Sequence, residues 1–306
     1  ESLMPSYSDP RDPRRTGQAP AQPRRRKKRR RRLPVPGIVL ILFLVGGVLF
    51  LRGRFVRSHS LNTPPPASHS EQGEAEAVGD GLQAQLLELA REEPRARDIL
   101  AHLEDYPQEL LELVVRNPET VDFVADYPQE KDRAPAETVE EAERGTIPLL
   151  LQWDPRWGCA QYGDGPMALT GCGPTALSMV ICGLTGDGTA TPYAVAQYAQ
   201  ERGYYVDGVG TSWELMSAGG THFGVTAREL PLSQSVMENA LAAGEPIICS
   251  VGPGDFTTSG HFIVLSGLED GKFQVRDPNR RSNSEKLWDY DTLAGQITNL
   301  WAFSVA

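Results

Sequence analysis

Cys172 lies within Gly171-Cys172-Gly173-Pro174-Thr175, His261 opens the run His261-Phe262-Ile263-Val264, and Asp277 begins Asp277-Pro278-Asn279. A thiol, an imidazole and a carboxylate in that order are what a thiol nucleophile with an oriented base requires. Pro174 suits the first turn of a helix, where its missing N–H would have been unpaired anyway. The small, apolar residues 175–182 suggest a helix buried on most sides. Cys172 then sits at the positive end of the helix dipole, facing backbone N–H groups that favour a thiolate. The same N–H groups can hold the oxyanion of an acyl-transfer intermediate. A small cysteine in an apolar run is also a common core residue, so the assignment depends on finding a base.

The chain has five histidines, His59, His69, His102, His222 and His261. The first two fall in a polar linker, His102 in a helical stretch, and His222 follows Gly219-Gly220-Thr221 as a turn or surface residue. His261 heads a β-branched strand, where a polar ring has no evident packing role. Residues 261–267 and 272–277 flank Glu269-Asp270-Gly271, a hairpin signal. A two-residue Asp-Gly turn would pair Val264 with Asp277 and leave His261 and Asp277 on opposite faces. A three-residue loop with Gly271 in the left-handed position pairs Ile263 with Asp277 instead. The two side chains then become diagonal neighbours about 7–8 Å apart at the backbone. The triad therefore predicts the bulged loop, and a tight turn would make Asp255 or Asn279 the orienter.

The elements that must position these residues sit in a chain of 306 residues with a formal net charge of −10. That charge is split sharply: residues 1–57 carry fifteen Lys/Arg against three Asp/Glu, and the remainder fifteen against thirty-seven. Residues 24–32 are all basic, and residues 37–51 are an uninterrupted uncharged run rich in Ile, Leu, Val and Phe. With its flanks, 33–52, this run approaches the ~20 residues of a membrane helix, and the preceding bases place the N-terminus in the cytoplasm. Arg52-Gly53-Arg54 is a poor cleavage context, which favours a retained anchor over a signal peptide. The expected order is a basic cytoplasmic tail at 1–32, a transmembrane helix at 33–52, a disordered linker at 53–80, a helical stalk at 81–145 and a catalytic domain at 146–306. Within the stalk Asp105-Tyr106-Pro107-Gln108-Glu109 recurs as Asp126-Tyr127-Pro128-Gln129-Glu130, each Tyr-Pro predicting the end of one helix and the start of the next.

Four cysteines, Cys159, Cys172, Cys182 and Cys249, show neither C-x-x-C nor a His pairing that suggests zinc. Cys182 lies too far along the Cys172 helix for a bridge, whereas the spacing allows Cys159 to pair with Cys182 or Cys249. No phosphate loop, dinucleotide fingerprint or calcium loop occurs, so no cofactor or metal is expected. The basic run at 24–32 could instead bind nucleic acid, but its abutment to an apolar run favours the membrane, so no nucleic-acid partner is expected.

Gln152-Trp153-Asp154-Pro155-Arg156-Trp157-Gly158, with the Cys172, His261 and Asp277 segments, resembles the bacteriocin-processing-type cysteine peptidases. These are family thirty-nine of the cysteine peptidases, and the likeness is to their stand-alone, cell-surface branch. It covers about residues 146–306 and extends to Gly210-Thr211-Ser212-Trp213 and Pro253-Gly254-Asp255-Phe256-Thr257. The resemblance implies a papain-like α+β fold, in which a helix carrying Cys172 packs on an antiparallel sheet carrying His261 and Asp277. It implies Cys172 as nucleophile, His261 as base, Asp277 as orienter and Gln152 as the side chain completing the oxyanion hole with the Cys172 amide. In exporter-linked members that glutamine lies only a few residues before the cysteine. Here twenty positions separate them, so residues 154–170 must loop out. The double-glycine leader specificity of those members does not carry over, because no exporter is attached.

The expected protein is a membrane-anchored extracellular thiol hydrolase acting on a peptide or protein, with a cell-wall peptide as a further candidate substrate. The alternatives are a cell-wall amidase, endopeptidase or acyl transferase on the same scaffold, and a surface adaptor that binds peptide without cutting it. The oligomeric state is left open.

Overall fold

The computed structural model describes residues 70–306, which fall within one compact unit, Ala67–Ala306. The expected cytoplasmic tail and transmembrane helix lie outside the described residues. Among the described residues no helix is long and apolar enough to cross a membrane.

Among the described residues four α-helices precede the first strand: α1 (Ser70–Glu92), α2 (Pro94–Ala101), α3 (Gln108–Arg116) and α4 (Val121–Glu130). The first begins inside the segment read as linker, where Glu and Ala, good helix formers, are frequent. Pro94 occupies the first turn of α2 and Pro107 the N-cap of α3, as their fixed φ allows. The second Tyr-Pro behaves differently from the first. Pro128 lies inside α4, because burial of Val121, Phe123, Val124 and Ala125 carries that helix to its end at Glu130.

These helices build a core that downstream residues complete. Leu86, Ile99, Leu110, Val114 and Phe123 pack in one cluster with Leu151, Trp153 and Ala168 from the downstream half. The fit is close: a Cβ on Gly158 would stand 2.7 Å from Phe123 Cε2. The stalk is therefore joined to the domain it precedes.

Residues 154–170 do loop out. They form a turn, the short hairpin β1 (Gln161–Tyr162) and β2 (Gly165–Pro166), and the one-turn helix α5 (Met167–Thr170). Helix α6 (Cys172–Thr185) follows directly, buried from Gly173 to Gly183 and closed by Gly186 at φ 77°. Then come α7 (Pro192–Glu201), the small hairpin β3 (Tyr205–Val206) and β4 (Gly210–Thr211), and α8 (Trp213–Ser217). The rest is β5 (Val225–Glu229), α9 (Gln234–Ala242), β6 (Ile247–Val251), β7 (His261–Glu269), β8 (Lys272–Arg276), α10 (Arg281–Ser284), β9 (Leu287–Trp288), α11 (Tyr290–Ala294) and β10 (Ile297–Val305).

Six strands form an antiparallel sheet in the order β5-β10-β6-β7-β8-β9. Alternate residues of its strands serve two cores, as the period of two requires. Ile248, Phe262, Val264, Trp301 and Phe303 pack with Leu177, Val180 and Ile181 of α6. Cys249, Ile263, Leu265, Phe273 and Val275 face Met237 and Ala240 of α9.

The β7–β8 hairpin departs from the expected loop. Asp270 at φ 51° and Gly271 at φ 75° form a two-residue turn, as the strong preference of Asp-Gly for such turns favours. Glu269 pairs Lys272, Leu268 pairs Phe273 and Gly267 pairs Gln274. The register then shifts, so that Leu265 pairs Val275 and Val264 pairs Arg276. Ser266 is the extra residue, its hydroxyl donating to Gln274 O at 3.4 Å. The bulge that the triad needed is therefore in the strand rather than at the turn. Continued one step, the shifted register sets Asp277 opposite Ile263.

Because the helices share their core with Leu151, Trp153 and Ala168 of the downstream half, Phe123→Ala is expected to cost about 3–5 kcal/mol and to lower one cooperative thermal transition of the whole unit. Calorimetry showing two separate transitions, with only the smaller one shifted, would contradict the shared core.

Candidate active site

Cys172 is the first residue of α6, after an N-cap, Gly171, that has no side-chain capping bond. The first backbone N–H groups of that helix therefore have no intrahelical partner. They lie beside a half-exposed thiol. Gly173 must be small here, since a Cβ would meet Thr211 of β4 at 2.7 Å.

His261, 7 % exposed at the start of β7, bonds through Nε2 to Asp277 Oδ1 at 2.8 Å. The other ring nitrogen, Nδ1, is thereby left free of Asp277, and Cys172 lines the same cleft as the ring. Asp277, fully buried, follows β8. Its Oδ1 also accepts from the Asn279 backbone N–H at 2.8 Å, and its Oδ2 from Asn283 Nδ2 at 2.7 Å. Its own N–H donates to Ser284 Oγ at 2.9 Å.

Burial acts against both charges of this pair. On His261 it works to lower the pKa, but the Asp277 charge, the bond to it and the bond to Cys172 prevail and hold the ring raised above its ordinary value. On Asp277 burial works to raise the pKa, but His261, Asn283 and the Asn279 N–H together hold it lowered. The result is an imidazolium–carboxylate pair, each member stabilised by the other. All four thiols are free, and burial pushes Cys159 and Cys182 up to about 11 and raises Cys249 as well.

Gln152 reaches the same place despite its distance in sequence. Its N–H donates to Pro278 O at 2.7 Å and its Nε2 to Ala168 O at 2.7 Å, while Oε1 is buried without a partner. One N–H of Nε2 is thus spent on the looped-out segment, and the other remains. Gln152, Cys172 and His261 line one cleft of about 450 Å³.

The alternative orienters fall elsewhere. Asp255 lines the same cleft but is committed to Gln296 Nε2, from which it accepts at 2.6 Å. Asn279 serves Asp277 through its backbone, and its carbonyl accepts from Trp153 Nε1 at 2.8 Å and Asn117 Nδ2 at 2.7 Å. His222 stacks on Tyr198 at 4.2 Å between ring centroids, away from the cleft-lining residues. Asn283, which holds the second oxygen of Asp277, was missed, since nothing in its neighbourhood sets it apart from a loop amide. The cleft wall supplied by Leu113, Arg116 and Asn117 was also missed. Among the described residues no cluster of His, Cys, Asp and Glu could hold a metal ion.

Three comparisons bear on this arrangement. The model of the Peptidase C39 like family matches residues 146–304. No curated protein matches the chain. Among solved structures, a candidate C39-like peptidase from Bacillus anthracis is 17 % identical, with a TM-score of 0.30, over 54 % of this chain and 98 % of that one.

The two pKa shifts predict a titration. In the wild type the His261 ring is expected to remain imidazolium well above pH ~6.5, the ordinary histidine value. In Asp277→Asn burial acts without the opposing charge, so the ring should lose its proton below that value. Ring ¹⁵N shifts followed from pH 5 to 10 measure this, and identical curves for the two proteins would contradict the ion pair.

Proposed function

The chain belongs to the Peptidase C39 like family, and from that premise we propose that it is a papain-like cysteine peptidase with Cys172 as nucleophile, His261 as base and Asp277 as orienter. The observation that carries the reading is the buried His261–Asp277 pair, 2.8 Å across, in the wall of the cleft that also exposes Cys172. A binding surface alone would not need a buried ion pair aimed at a thiol, since burying two charges costs several kcal/mol before pairing.

In the proposed reaction His261 Nδ1 holds the proton of the Cys172 thiol, and the thiolate attacks the carbonyl carbon of a peptide or amide. The C–S bond forms as the carbonyl π pair moves onto oxygen. The Cys172 backbone N–H and the free N–H of Gln152 Nε2 donate to that oxyanion. Collapse of the intermediate expels the amine, which takes the proton from His261, and leaves a thioester. Water, deprotonated by His261, then attacks the thioester and releases the acid and the thiolate. Asp277 retains its charge throughout and keeps Nε2 protonated, so that Nδ1 does the proton transfer.

The basic run at 24–32 followed by the apolar run at 37–51 supports a cell-membrane anchor, with the N-terminus cytoplasmic and the catalytic unit outside.

Residues 67–306 should cleave a casein substrate, and Cys172→Ala should abolish the cleavage while leaving the thermal transition in place. Limiting iodoacetamide should label Cys172 first, and His261→Ala should slow that labelling, as peptide mapping would record. Equal cleavage by wild type and Cys172→Ala would end the peptidase reading. Gln152→Ala should lower kcat by about 10²–10³ while leaving the Cys172 alkylation rate unchanged. A kcat within a factor of about two of wild type would remove Gln152 from the oxyanion site.

A further inference from the structure

The cleft has two unlike walls. One is the loop at residues 254–260. The other is the C-terminal end of α3, contributing Leu113, Arg116 and Asn117, together with Asn279 and Arg280. Helix α3 lies upstream of the segment that matches the peptidase family, residues 146–304. We infer that these upstream helices form a substrate-recognition wall, in which Arg116 and Arg280 bind a carboxylate of the substrate beside the bond that Cys172 attacks. This inference rests on the peptidase reading and adds the substrate class to it.

The wall is held rigidly against the catalytic loop. Asn117, 2 % exposed, donates through Nδ2 to Asn279 O at 2.7 Å, and Arg280 Nη2 donates to Arg116 O at 2.6 Å. The Glu119 carboxylate accepts from the backbone N–H of Arg281 at 2.7 Å and of Ser282 at 3.1 Å. The loop thus clamped runs on from Asp277, so the wall and the catalytic base keep a fixed relation. A subsite built this way loses little freedom when a ligand binds.

Its charge is uncommitted. Arg91, Arg95, Arg133, Arg156 and Arg228 each have a carboxylate within 3.5 Å, whereas among the described residues Arg97, Arg144, Arg202, Arg276 and Arg281 have none within ion-pair distance but do not line this cleft. Arg116 has only Glu112 at 3.9 Å, and among the described residues no carboxylate is within ion-pair distance of Arg280. The Arg280 guanidinium gives one group of its fork to the Arg116 carbonyl and keeps other donors for a ligand. Two such forks suit a carboxylate, which arginine takes in a bidentate fashion. After residue 57 acids outnumber bases thirty-seven to fifteen, so a basic cleft edge stands out from its surroundings. Asp255 also lines the cleft, where its carboxylate accepts from Gln296 Nε2 at 2.6 Å.

The test is cleavage of a pool of N-acetylated octapeptides randomised at every position, with residues 67–306 as enzyme and mass spectrometry as the readout. The pool is supplied once as free acids and once as C-terminal amides. Wild type should enrich Asp and Glu at one position beside the cut by about tenfold in kcat/KM over Asn and Gln, which corresponds to about 1.4 kcal/mol of differential transition-state binding. If the carboxylate is a C-terminus, the free-acid pool alone should be cut. In Arg116→Gln/Arg280→Gln either preference should collapse toward parity, and in Arg116→Glu it should invert toward Lys and Arg. No acid preference in the wild type, or one that survives in the double variant, would overturn the subsite. If no peptide is cut in a Cys172-dependent way, the peptidase reading fails instead. The subsite is then decided by retention of acidic over amide peptides on immobilised Cys172→Ala protein, and equal retention overturns it.

Discussion

The rest of this structure depends on a charge pair taken out of water. Asp277 is fully buried and His261 nearly so, and such a pair is favourable only if every remaining lone pair and proton is met. Asp277 meets that demand with donors from three places: the imidazole at the head of β7, the Asn279 backbone and the Asn283 side chain. Asn283 is in turn tied down by Trp288 Nε1, which donates to its carbonyl at 2.9 Å. Losing one donor would leave an uncompensated charge in the core, so the loop from 277 to 284 cannot relax independently. The folding of that loop and the poise of the base are one problem.

Two distant parts of the chain solve it together. The sheet brings His261 and Asp277 onto one face, but only because Ser266 is bulged out of β7. The upstream helices then close over the loop through Asn117 and Glu119, and Trp153 donates to the same Asn279 carbonyl as Asn117. Helices this few and short cannot bury a sufficient core alone. Docking on Leu151, Trp153 and Ala168 supplies it, and the loop is held by the same contact. A spacer between membrane and catalytic unit would need no such bonds.

How much of this was legible in the sequence follows from the range of each interaction. Cys172 could be placed at a helix start because glycine, proline and an apolar run are local signals, and α6 begins at that residue. The strand headed by His261 and the Asp270-Gly271 turn were equally local. The position of the bulge was not. Side-chain alternation fixes only that one extra residue must occur between His261 and Asp277, and the turn geometry that Asp-Gly favours pushed it into the strand. Pro128 inside α4 shows the same limit from the other side: a strong local breaker gave way to burial that only the tertiary fold supplies. Asn117 and Glu119 were invisible because their partners lie 162 and 163 residues away in sequence, and Asn283, close to Asp277 in sequence, because nothing local distinguishes it from an ordinary loop amide.

The looped-out segment between Gln152 and Cys172 shows why spacing can mislead where geometry does not. A glutamine twenty residues from Cys172 is as well placed as one a few residues away, provided the intervening chain returns to its starting point. Here it returns as a packed unit. Trp157, 1 % exposed, donates to Leu151 O at 2.8 Å, Met167 N to Ala160 O at 2.8 Å, and Ala168 N to Gly158 O at 3.0 Å. The carbonyl of that same Ala168 takes the Gln152 amide at 2.7 Å. The insertion therefore serves as the support that fixes the glutamine's rotamer. Its cost in loop closure grows only with the logarithm of its length, so a longer supported path can hold an oxyanion donor as firmly as a short one.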